Sequence, residues 1–271
     1  MAVVKHYHHH YHFFYYTSLK RHFTALALVT LILVLIIIAA VRFIAPGKPI
    51  NLEQLSYLDL FLATFATFYR LLIAYIFALI FSVPLALLIT STPKVEKILL
   101  PFFDVLQSVP ILAFFPLIVL VFLKFNFFEG AAIFVLFISM LWSLVFTMIG
   151  GLKTIPTDVT AAATIFKATG WKKLWNVTLP AIFPSITTGS LLSWGAGWNV
   201  IIVAEVLHTY IPNSTSNQDL PGLGSLLVNS SYMGKNSVFL AAVIIMIILI
   251  TLMNFFIWQK LLHFSERFKF D

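Results

Sequence analysis

The chain has 271 residues, 61% hydrophobic, 16% aromatic and only 10% charged, with a formal net charge of +7. A soluble domain carries about a quarter of its residues as charges, so the solvent for most of this chain is lipid. The lack of cysteine excludes disulfides, thiolate nucleophiles and sulfur-ligated metals, and the basic excess forms no aromatic-interleaved stripe suited to nucleic acid.

The opening stretch MAVVKHYHHHYHFFYY offers His6, His8, His9, His10 and His12 as divalent-ion ligands. No neighbouring carboxylate or second histidine cluster closes a site, so it reads as a tail whose Tyr and Phe rest among lipid headgroups, and no metal is expected. Apolar runs follow near 24–45, 66–91, 99–123, 131–150, 184–207 and 238–262, each long enough to span a bilayer. Backbone in lipid must satisfy its own hydrogen bonds, so all of them are expected as helices despite many β-branched residues. The first run exceeds a signal-peptide core, and Arg42-Phe43 interrupts any cleavage site, which predicts an uncleaved helix. The domain reading is a tail over 1–23, one membrane domain over 24–265 and a short tail over 266–271.

Lys and Arg set the orientation. With the N-terminus inside, the inner side holds Lys5, Lys20, Arg21, Lys94, Lys97, Lys153, Lys167, Lys172, Lys173, Lys260, Arg267 and Lys269. The outer side keeps Arg42, Lys48, Lys124, Lys235 and, by position, Arg70. That bias predicts cytosolic termini and a cytosolic loop between the fourth and fifth runs.

In the third run, LLPFFDVLQSVP places Asp104, Gln107 and Ser108 on one helix face. Polar groups at membrane depth are functional candidates, here a strip along a solute path. The competing reading for Asp104 is a carboxylate held at the cytosolic helix start by the N-terminal dipole and water. Pro110 and Pro116 are expected to kink this helix and free carbonyls to line a cavity.

After the fourth run comes AAATIFKATGWKKLWNVTLP. Ala162, Ala163, Phe166, Thr169 and Gly170 precede Trp171, Leu174, Val177 and Leu179, which predicts two short helices broken near Thr169-Gly170 and stopped by Pro180. Their apolar face must lie on the membrane or enter another protein's groove, and composition leaves both open. In the fifth run, Trp194, Trp198 and Asn199 are candidates for contacts between helices. Glu205 near the outer end caps a gate, pairs with a partner chain or stands as a solvated helix-end acid. The outer loop from His208 to Ser237 contains PGLGSLL, a turn into a short amphipathic helix. Asn213-Ser-Thr matches a glycosylation pattern too weak to carry weight. No phosphate-binding G-x-x-x-x-G-K-[ST] is present, so no nucleotide site and no catalytic residue is expected in this chain.

Taken in order, these motifs resemble the membrane subunit of bacterial ABC importers of the nitrate/sulfonate/taurine type. That family carries E-A-A-x-x-x-G, nine residues, then I-x-L-P. Aligned on Val177-Thr178-Leu179-Pro180, Ala162 and Ala163 take the alanine positions, Ala161 stands where Glu is usual, and Lys167 stands where Gly is usual. LLPFFDVLQSVPILAFFPLIVL carries the S-[IV]-P step, GWNVIIVAEVL the W…AE segment and PGLGSLL the G-L-G turn; the likeness covers roughly 60–265. It implies an all-α, six-helix type I importer permease in a prokaryotic inner membrane, paired as a homodimer around a central path. A cytosolic ABC ATPase dimer holding ATP and Mg would dock on the loop, and an extracytoplasmic solute-binding protein would deliver the solute. The solute would be nitrate-, sulfonate-, taurine- or bicarbonate-like, or a small heteroaromatic. With the resemblance, Ala162, Ala163, Thr169, Gly170, Trp171, Leu174, Leu179 and Pro180 are expected to serve ATPase coupling, and the polar and helix-contact residues read above, Asp104, Gln107, Ser108, Pro110, Trp198, Asn199 and Glu205, the path or gate. Two rival classes fit less well. A secondary transporter would show internal repeats and midplane charges, and a membrane enzyme would cluster acids or histidines on one face.

Overall fold

The computed structural model describes residues 56–125, 127–211 and 218–269. The first predicted run and the histidine tail lie outside them, as does Asn213. The long helix α1, Tyr57–Ile89, starts at Ser56, whose hydroxyl accepts from the Leu58 N–H while the Asp59 side chain accepts from the Ser56 N–H. That reciprocal cap satisfies N–H groups a helix start leaves open. Pro84 sits inside α1 without ending it.

The third predicted run is two helices. Pro93–Ser108 (α2) and Ile111–Leu123 (α3) meet at a bend of 82°. The break falls at Val109, extended because a residue before proline is driven out of the α region. Pro116 stays within α3 and Pro101 within α2, so only Pro110 of the two expected kinks is realised. Three further segments pass as spans: Phe128–Lys153 (α4), Phe183–Glu205, and Asn236–Phe268. The five runs predicted within the described residues are thus all helical, with one of them sharply broken.

Between α4 and the next span lie α5 (Thr157–Ile165), α6 (Gly170–Lys173), a wide turn over Leu174–Thr178, and α7 (Leu179–Ala181). Pro180 does not stop this run. It follows directly on the wide turn within α7, and the backbone breaks only at Ile182 before α8 (Phe183–Glu205). The sequence PGLGSLL opens α9 (Leu223–Tyr232) as expected. The last span is α10 (Asn236–Met253), a wide turn over Asn254–Trp258, and α11 (Gln259–Ser265). It continues through a helical turn to Phe268, whose ring lies 5.1 Å from that of Phe183, so the segment expected as a tail from 266 is partly docked.

The core is the α4 seam against α8 and α1. Lipid offers no hydrophobic drive for helices to associate, so close packing must supply it. α1 turns Ala63, Ala66, Thr67, Ala74, Ala78, Ser82 and Ala86 inward, while Phe61, Phe77, Ile80 and Phe81 face out. On α8, Gly189 lets the backbone come close to α4: a Cβ there would overlap Thr147 and sit 3.4 Å from the Leu144 Cα. Along α1 the inward positions are mostly small and the outward ones large, with Arg70, Leu71 and Ile89 as the large buried exceptions.

Candidate solute groove, ion cluster and coupling hairpin

Three assemblies of polar or unpartnered groups stand out from this apolar frame. The first lies at the bend between α2 and α3, where an open groove of about 460 Å³ runs against α4. Gln107, Ser108 and Pro110 line it from the bend, Phe114 from α3, and Ser139 and Trp142 from α4. Gln107 Nε2 donates to Asp104 Oδ1 at 2.9 Å and the Ser108 hydroxyl donates to the Asp104 carbonyl at 2.8 Å. The polar strip read from the sequence is therefore one hydrogen-bonded unit. The competing reading of Asp104 fails on its place in the helix, although the side chain is exposed. α2 begins at Pro93, capped by the Thr92 hydroxyl accepting from the Val95 N–H at 3.3 Å, so Asp104 lies in its C-terminal half. Ser139 and Trp142 escaped the sequence reading because nothing local distinguishes them from other residues of a long apolar helix.

The second assembly is a buried ion cluster at the end of the bundle away from the α5–α7 segment. Arg70 on α1 grips Glu129 on α4 with both arms of its guanidinium, Nε to Oε2 and Nη2 to Oε1, each at 2.7 Å. Its Nη1 donates to Glu205 Oε1 at 2.7 Å and to the Pro221 carbonyl at 2.9 Å. Glu205 Oε1 also accepts from the Thr67 hydroxyl at 2.7 Å, and Oε2 from the Gly224 N–H at 2.7 Å; the Leu223 N–H donates to Thr67 at 2.8 Å. The N-terminus of α9 thus gives its Gly224 N–H to the Glu205 carboxylate and its Leu223 N–H to the Thr67 hydroxyl, and a carboxylate there is the favourable sense for its dipole. A side chain at Gly224 would stand 2.8 Å from the Ile202 Cα, so only glycine lets α9 approach α8 this closely.

This geometry corrects two expectations. Glu205 is fully buried, not a solvated acid, and its partners belong to its own chain. Arg70 is 1% exposed and neutralised by carboxylates, so it does not count as a loop charge in the orientation rule. The cluster is also separate from the groove. Trp198 lies in the core, Asn199 is exposed on the adjacent face of α8, and neither joins Asp104, Gln107 and Ser108. An arginine and a glutamate at helical depth were the available signals for the cluster.

Beside it, Asp219 closes the loop ahead of α9. It accepts from the Leu207 and His208 N–H groups at 2.9 and 3.0 Å, from the Asn229 amide at 3.0 Å, and contacts His208 Nδ1 at 2.8 Å.

The third assembly is the hairpin. α5 ends in a double backbone closure, Lys167 N–H to the Thr164 carbonyl and Ala168 N–H to the Ala163 carbonyl. This is the Schellman arrangement, which needs a left-handed residue at the position Lys167 fills with φ 51°. Gly170, φ 54°, supplies a second left-handed step three residues on. Ala163 is buried, Ala162, Leu174 and Pro180 are half-buried, and Leu179 packs against the core. The expected apolar face is therefore split. Part of it seats the hairpin on its own bundle, while Ile165, Phe166, Trp171 and Trp175 stand exposed, the two indoles 5.7 Å apart. Trp175 is a residue the sequence reading passed over, although its i, i+4 spacing from Trp171 was visible. Thr169 caps nothing with its side chain. Behind the hairpin, Lys153 at the end of α4 pairs with Glu96 at the start of α2.

Among the described residues no group of three or more His, Cys, Asp or Glu side chains is placed to hold a metal.

A helical bundle built for lipid, with a polar groove at a broken span and an apolar knob between two others, defines a multi-pass membrane protein of the permease class. Residues 78–263 match the family described as binding-protein-dependent transport system inner membrane component, and the chain belongs to it, with the all-helical type I permease fold. It is 30% identical to the nitrate import permease NrtB of Leptolyngbya laminosa over 66% of this chain and 60% of that one. It is 33% identical to the bicarbonate transport permease CmpB of Synechocystis over 56% and 53%, and 28% identical to the taurine transport permease TauC of Escherichia coli over 52% and 50%. The matched region spans about half the length of these relatives, which are named as transport permeases and not as enzymes.

Proposed function

We propose that this chain is the membrane-spanning permease subunit of an ATP-driven importer, passing a small solute delivered by an extracytoplasmic binding protein. Two copies surround the path, both termini are cytosolic, and a separate ATPase dimer binds ATP and Mg on the cytosolic side of a prokaryotic inner membrane. The observation that carries this reading is the exposed Ile165, Phe166, Trp171 and Trp175 set on a hairpin wired into the bundle. Such a knob is costly in water and fits a protein groove. Motion of a bound ATPase has a physical route inward. α5 follows α4 after a three-residue link, and the Lys153–Glu96 contact ties the α4 end to α2, whose far end carries Gln107 and Ser108 at the groove. Gly170, Trp171 and Leu174 form the docking surface, seated by Ala162, Ala163, Leu179 and Pro180.

Affinity capture of the cognate ATPase on the purified chain tests it. Retention of a nucleotide-hydrolysing subunit supports the reading; hydrolysis sustained by the rigorously purified chain alone contradicts it.

A further inference from the structure

The last span gives more of its surface to lipid than the others do. Over its most apolar stretch only 11% of the residues are buried, against 28%, 50% and 44% in α1, α4 and α8. Leu240, Ile244, Ile248 and Leu252 stand exposed along α10. The wide turn that follows sends Trp258 inward, its ring 6.3 Å from that of Trp194, and leaves Phe255 and Phe256 63% and 62% exposed. The exposed apolar surface from Leu240 to Phe256 runs about 24 Å, longer than one leaflet of a hydrocarbon core of about 30 Å.

One turn further, this surface becomes basic. Lys260, His263 and Arg267 follow Phe256 at intervals of four, three and four residues, the spacing of one helix face, and all three are exposed. Lys260 Nζ lies over the Phe256 ring, 5.6 Å from its centroid, and the Arg267 guanidinium over the Phe264 ring at 5.7 Å. A cation resting on a ring is positioned without being neutralised. Among the described residues no carboxylate lies within ion-pair distance of either one. The neighbouring acid, Glu266, contacts His263 instead, at 3.3 Å.

Two positioned, unpaired cations at the end of a lipid-facing apolar track match a molecule with an anionic head and a long apolar body. A free phosphate would leave the track unused, and a soluble partner would have to displace lipid from it. We infer that Lys260 and Arg267 bind the phosphate of an anionic glycerophospholipid whose acyl chains lie along Leu252 and Phe256. His263, already engaged by Glu266, takes no part. The site requires only that α10 and α11 lie in a bilayer, so it stands apart from the importer assignment and holds for either orientation of the chain.

The test titrates the full, delipidated chain in a neutral detergent with phosphatidylglycerol or with phosphatidylcholine of the same acyl chains. Bound lipid is counted by native mass spectrometry. Phosphatidylglycerol should bind roughly tenfold tighter, the scale set by two basic groups at an anionic headgroup with an acid nearby. Lys260→Gln with Arg267→Gln should bring the two lipids level, while the charge-keeping pair Lys260→Arg with Arg267→Lys retains the preference. That second pair and the parent chain keep the test decisive if the glutamine pair fails to fold. Lys124→Gln removes an exposed cation at the other end of the bundle, beside exposed Phe125, and should change nothing. Glycerol 3-phosphate, which has the phosphate without the chains, should not displace the lipid. Equal affinity for the two lipids overturns the inference, as does a preference that survives the glutamine pair, is lost with the charge-keeping pair or is lost with Lys124→Gln. Displacement of phosphatidylglycerol by glycerol 3-phosphate overturns it too.

Discussion

At Arg70 the charge count decides what each substitution does. One guanidinium serves two carboxylates, Glu205 fully buried and Glu129 about one-third exposed. Losing Arg70 strands both acids, losing Glu205 leaves Arg70 paired to Glu129, and losing Glu129 costs least because water reaches its site. Breaking a buried pair by removing one partner costs about 3–5 kcal/mol, and Arg70→Met should sit at that level. Glu205→Gln and Glu129→Gln should follow in decreasing order, read as thermal melting of the detergent-solubilised chain. The double change Arg70→Met with Glu205→Met should melt higher than Arg70→Met alone. If it melts lower, the cluster is not organised around Arg70. Lys167 offers the opposite case, because its left-handed backbone suits glycine. The strain of about 1–2 kcal/mol, less the entropy glycine returns to the unfolded chain, leaves a net gain of roughly 0.5–1 kcal/mol for Lys167→Gly. Amide exchange in α5 should slow by roughly two- to fivefold; faster exchange would contradict this account of the turn.

At the scale of the element, the hairpin separates two kinds of contact. Trp171 is 72% exposed and, among the described residues, has only Trp175 as an aromatic neighbour, so its burial awaits a partner. Transferring one such side chain is worth about 1.5–3 kcal/mol, and Trp171→Ala should weaken ATPase capture by roughly ten- to a hundredfold. Trp175→Ala should fall in the same class. Lys172→Ala should matter less, since rim charges are screened by salt. If the lysine change releases the ATPase while the tryptophan changes do not, the loop is an electrostatic surface. The bent span follows a different logic. Val109 is extended because Pro110 follows it, so Pro110→Ala should let α2 and α3 straighten and close the groove. Maleimide labelling of a single cysteine introduced at Ser108 should then become slower; unchanged labelling would assign the bend to tertiary packing.

For the whole molecule, sidedness is the prediction with the widest consequence. A cysteine at Tyr232 and one at Lys172 lie at opposite ends of the bundle, because α8 separates the hairpin from α9. With cytosolic termini, an impermeant maleimide should reach Tyr232→Cys from outside intact cells and Lys172→Cys only after permeabilisation. The reverse pattern would invert the topology and remove the hairpin from the ATPase.

The amino-acid sequence by itself determined the solvent, the helices and their order. Run length and the need to satisfy backbone hydrogen bonds in lipid act within a segment, so 66–91, 131–150, 184–207 and 238–262 were legible with ends shifted by a few residues or, at 57–65, by more than two turns. The Asp104–Gln107–Ser108 unit was legible for the same reason, since its members lie within one turn. The tertiary structure alone decided that Arg70 meets Glu129 and Glu205, residues 59 and 135 positions away. It alone decided that Glu205 takes the Gly224 N–H at the start of α9, that Trp142 walls a groove, and that Leu179 seats the hairpin while Trp171 projects. Such pairings depend on which faces of distant helices are small enough to approach, and the alternation of alanine and phenylalanine along α1 acquires that meaning only once α4 and α8 lie against it.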